Sequence, residues 1–97
     1  MTEQQQYETW SIKKPPVVSE HGLVSSQHYI ASNIGANVLR EGGNAIDATV
    51  AASLSIGAVE PWMSGLGGGG FMLVYVAAED QVYAVDFGMI APENLNE

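Results

Sequence analysis

The sequence contains no cysteine, which removes disulfides, thiolate metal ligands and cysteine nucleophiles from consideration. Basic side chains are nearly absent as well: Lys13, Lys14 and Arg40 stand against eleven acids, for a net charge of −8. From Glu41 onward there are eight acids and no base. Binding to nucleic acid or to an anionic membrane therefore lacks its electrostatic term. An anionic substrate would have to be held by backbone N–H groups, by hydroxyls or by residues outside this chain. Charged residues make up only 14% of the sequence, while hydrophobic ones make up 46%. That balance is too apolar for a disordered segment and too poor in charge to cover a small free-standing domain. A chain of this length buries only roughly 60–65% of its unfolded surface. The composition is that of the interior part of something larger. The first eighteen residues have no apolar run leading to a small-residue cleavage site, so they do not read as a secretory signal, and the expected compartment is the cytoplasm.

Residues 1–21 form a polar N-terminal segment whose Pro15-Pro16 pair favours an extended course. His21-Gly22 marks a turn, and Leu23-Val24-Ser25-Ser26 is a short strand candidate. From His28 the period becomes helical, with Ile30, Ile34, Val38 and Leu39 on one stripe and Asn33, Asn37, Arg40 and Glu41 opposite. Gly42-Gly43 supplies the left-handed residue of a helix C-terminus. Asn44 then reads as an N-cap with Asp47 near the positive end of the next helix dipole. Residues 45–59 are small or apolar nearly all round, which predicts a helix covered on both sides. This run is too short to span a bilayer, and it contains Asp47. Glu60-Pro61 ends it. Two apolar strands follow, over 71–76 and 81–87, joined by the polar turn Ala77-Ala78-Glu79-Asp80. They read as a hairpin buried on at least one face.

The glycine run Gly65-Leu66-Gly67-Gly68-Gly69-Gly70 contains the spacing G-x-G-x-x-G. A dinucleotide site needs a strand before those glycines and a helix after them, so that pyrophosphate meets the helix N-terminus. Here the order is reversed, so the run reads as backbone crowding, with another segment passing close by. The blander alternative is a flexible loop. Thr2 would lead the chain if Met1 were removed, and an N-terminal threonine can use its own amine as base. It is followed by Glu3-Gln4-Gln5-Gln6, a solvated tail, so it reads as an ordinary start. Ser25, Ser26, Ser53, Ser55 and Ser64 have no histidine or lysine at an activating spacing, and Ser53 and Ser55 suit bonds back to helix carbonyls. His21 and His28 fit turn and cap roles better than a metal site. Glu60 and Asp86 are isolated acids, which gives little support to a paired-carboxylate mechanism. No catalytic residue and no metal site is assigned within these 97 residues.

Four segments in order, GLVSSQHYIAS, LREGGNAIDATVAA, VEPWMSGLGGGGFMLVY and VYAVDFGMIAPENL, resemble the start of the large subunit of the γ-glutamyltransferase family across residues 22–92. Within them Glu60, Pro61, Gly65, Gly67, Gly68, Gly69 and Gly70 are the structural signature. The resemblance implies an α+β fold, the αββα sandwich of N-terminal-nucleophile hydrolases, of which residues 22–97 are the N-terminal portion. It further implies a precursor of glutathione metabolism that cuts itself by autoproteolysis. The new N-terminal threonine, outside this chain, then attacks an amide, and the acyl group passes to water or to an acceptor amine. The implied partners are the remainder of the large subunit, the small subunit of the same precursor and a small-molecule amide substrate. No cofactor, nucleic acid or membrane is implied.

One position departs from the pattern. Glutathione-cleaving relatives follow Asp-Phe of the second hairpin strand with an arginine that grips the substrate's α-carboxylate, whereas here Asp86-Phe87 is followed by Gly88. A bidentate arginine–carboxylate contact contributes roughly 1.5–3 kcal/mol, and no base after Arg40 replaces it. The expected enzyme therefore cleaves or transfers a different acyl group. The alternative from another class is a non-catalytic binding or structural module that keeps part of the family fold.

Overall fold

Helix α1 (Tyr29–Arg40) begins where His28 offers a side chain to the first free amides: its Nδ1 accepts from the Ile30 N–H at 3.2 Å. This is the cap role expected of that histidine, whose ring also stacks on Tyr29 with centroids 5.1 Å apart. The helix ends as its glycines predict. Gly42 has φ +96°, and the N–H groups of Gly42 and Gly43 return to the carbonyls of Leu39 (3.1 Å) and Val38 (2.9 Å). Helix α2 (Ala45–Val59) opens with a reciprocal capping box, Asn44 Oδ1 accepting from the Asp47 N–H at 2.9 Å and Asp47 Oδ2 accepting from the Asn44 N–H at 3.0 Å. Each bond satisfies an amide the helix cannot. The computed structural model describes residues 9–94, so Thr2 lies outside the described residues. No helix among those described is long and apolar enough to cross a membrane.

The two helices pack through small residues. Ala31 and Gly35 of α1 meet Ala48 and Ala52 of α2, and these four are the buried residues of the helix pair. A Cβ on Gly35 would lie 2.9 Å from Val24 Cγ1 and 3.2 Å from the Ala48 carbonyl oxygen. The contact face of α1 is thus one residue round from the stripe read off hydropathy. Ile30 and Ile34 remain partly exposed because the backbones approach too closely for branched side chains. Val24 fills the notch above Gly35, so residues 23–26 are not a strand. A strand needs a ladder partner, and this segment packs on helices instead. The Ser26 hydroxyl donates to the His28 carbonyl at 2.7 Å and pairs with the Ser32 hydroxyl at 2.6 Å.

Strands β1 (Gly70–Val76) and β2 (Gln81–Phe87) form the hairpin, antiparallel in register from Gly70 opposite Phe87 to Val76 opposite Gln81. Its turn places Asp80 at φ +48°, a left-handed position that aspartate tolerates. Tyr75 donates to Asp80 at 2.8 Å and Tyr83 donates to Glu79. These carboxylates hold both phenols above their ordinary pKa, with desolvation adding to the effect. The hairpin is not buried as expected. Only alternate residues of β1 are half-covered, Phe71 and Leu73 are 80% and 77% exposed, and every residue of β2 is exposed. The helix apolar on all sides is likewise covered on one side alone, leaving Ile46, Val50 and Leu54 open. Both corrections share one cause: the helices pack on each other and the strands pair with each other, but the helix pair barely touches the hairpin, and the layers these apolar faces match are not in the described residues.

Candidate functional site

The link between α2 and β1 brings the helix end, the glycine run and the end of the hairpin together. Glu60 stops α2, its N–H reaching the Ile56 carbonyl at 2.8 Å and its own carbonyl accepting from the N–H groups of Met63 (3.0 Å) and Ser64 (3.2 Å). Its carboxylate accepts from the Gln27 side-chain amide, which ties the end of α2 to the segment ahead of α1. Glu60 is therefore a structural tie as well as a stop. The chain then turns within the run, Gly68 N–H to the Gly65 carbonyl at 3.2 Å, and passes flush over the end of β2.

The glycines of this run are not equivalent. A Cβ on Gly69 would lie 3.0 Å from both the Phe87 carbonyl oxygen and Met89 Cγ, and 3.1 Å from the Met89 nitrogen. One on Gly70 would strike the Phe87 ring at 2.9 Å. Gly65 and Gly67 face open space, and neither they nor Gly69 has a positive φ. Crowding thus explains the end of the run, and a flexible connector is enough for its beginning. Gly69→Ala is expected to destabilise the full-length protein by about 1–3 kcal/mol, since backbone atoms must shift, while Gly65→Ala and Gly67→Ala stay within about 0.5 kcal/mol. Urea midpoints of the three variants check this, and equal losses at all three would contradict it.

Between α2, the glycine run and the hairpin lies an open groove of about 660 Å³, walled by Val50, Leu54, Met63, Met72 and Phe87 with Ser53 and Ser64 at its polar edge. Ser55 bonds back to the Ala51 carbonyl at 2.7 Å, as expected, and Thr49 does the same to Ala45 at 2.7 Å. Ser53 has no such bond and is exposed. No hydroxyl among the described residues bonds a histidine or lysine side chain, so the hydroxyls here are unactivated. His21 sits in its turn, its backbone N–H directed at the Ser19 hydroxyl at 3.4 Å.

At the end of β2 the chain forms a small closed corner. Asp86 Oδ1 accepts from the Gly88 N–H at 2.9 Å, and a Cβ on Gly88 would lie 3.1 Å from that same oxygen. Reading Asp86 as an isolated acid missed this contact. Its signal was available in the spacing, since an aspartate commonly accepts from the N–H two residues on.

A tightly crossed glycine loop joining an apolar helix to an apolar hairpin, with apolar faces left uncovered among the described residues, defines a segment of a larger layered α+β fold. The gamma-glutamyltranspeptidase family matches residues 31–97, and the chain belongs to that family. A glutathione hydrolase proenzyme of Bacillus subtilis subsp. natto is 45% identical over 89 residues, covering 82% of this chain and 15% of that protein. An oxamate amidohydrolase proenzyme of Klebsiella pneumoniae is 48% identical over 69 residues, 71% of this chain and 13% of that protein. The crystal structure of Helicobacter pylori gamma-glutamyltranspeptidase superposes with a TM-score of 0.77 at 41% identity, over 86% of this chain and 24% of that one. The chain thus spans about a seventh of the length of the curated relatives it matches. The two helices and the hairpin are part of the α+β N-terminal-nucleophile hydrolase fold of these neighbours.

Proposed function

We propose that this chain is the N-terminal part of an autoprocessing enzyme that cleaves an amide, or transfers its acyl group, through an N-terminal threonine lying outside these residues. The remainder of the large subunit and the small subunit of the same precursor supply the layers that the bare faces of α2 and the hairpin require. Relatives named as proenzymes support the processing step. In the reaction the threonine hydroxyl adds to the amide carbonyl, the amine leaves with a proton, and water or an acceptor amine then takes the acyl group.

The acyl group is not a conventional γ-glutamyl group. The observation that carries this reading is Gly88, which stands after Asp86-Phe87 where the family resemblance implies a carboxylate-gripping arginine in glutathione-cleaving relatives. Its backbone N–H is already engaged by Asp86, and no base follows Arg40 in the sequence. That both a glutathione hydrolase proenzyme and an oxamate amidohydrolase proenzyme resemble the chain to a similar degree is compatible with an altered acyl group. The full-length protein is expected to resolve into two chains on a denaturing gel, the smaller beginning with threonine. A single uncut chain after prolonged incubation would count against the enzymatic reading.

A further inference from the structure

We draw no further inference here: the strongest candidate, the open groove between α2, the glycine run and the hairpin that Val50, Leu54, Met63, Met72 and Phe87 wall, is an unpartnered apolar surface, and nothing in the structure shows what covers it.

Discussion

Residues 1–97 expressed by themselves are expected to show no cooperative urea transition and to sediment as concentration-dependent oligomers. The hydrophobic residues buried among those described are Ala31, Ala48 and Ala52. Each contributes about one methyl group, on the order of 0.8 kcal/mol, against roughly 1–2 kcal/mol of backbone entropy for every residue ordered. Caps and helix hydrogen bonds do not close that gap, since short helices are marginal without tertiary packing. Meanwhile Leu54, Phe71 and Leu73 are 56%, 80% and 77% exposed, and both edges of the two-stranded sheet are unpaired. Exposed apolar strand edges recruit other strands. Adding the rest of the precursor should restore a cooperative transition. A monodisperse monomer of the short chain with a sharp urea midpoint would contradict this account of where the core resides.

Much of the local structure was legible because it depends on neighbours in sequence. His28, Asn44 and Asp47 cap helices by reaching two or three residues along the chain, Gly42-Gly43 close α1, and Glu60 stops α2 where the sequence puts it. What depends on distant segments was not legible. The face of α1 is chosen by how closely α2 can approach, so size at Gly35 outweighs hydropathy at Ile30 and Ile34. Val24 went into that notch rather than into a sheet for the same reason. Burial of the hairpin was inferred from apolar strands that nothing among the described residues covers. In the candidate site, the glycine run announced a close crossing but not which glycine makes it. The partners of Gly69 are eighteen and twenty residues further on, at Phe87 and Met89.

The second large effect concerns the acyl group. On the proposed reading, an arginine at position 88 would hold the substrate's α-carboxylate by two parallel N–H donors, which glycine does not provide. Loss of such a contact corresponds to roughly 1.5–3 kcal/mol, or about ten- to a hundredfold in kcat/KM. Gly88→Arg should recover part of the deficit, on the order of tenfold. The recovery is partial because the new Cβ would sit 3.1 Å from Asp86 Oδ1 and the carboxylate must first turn aside.

Steady-state turnover of γ-glutamyl p-nitroanilide by the full-length, processed protein tests this most directly. The proposed function predicts a kcat/KM below about 10⁴ M⁻¹s⁻¹, the lower end of ordinary enzymes, rising when Gly88 is replaced by arginine. A wild-type value well inside the ordinary range, unimproved by that substitution, would show that another group grips the carboxylate and that Gly88 does not mark a change of substrate.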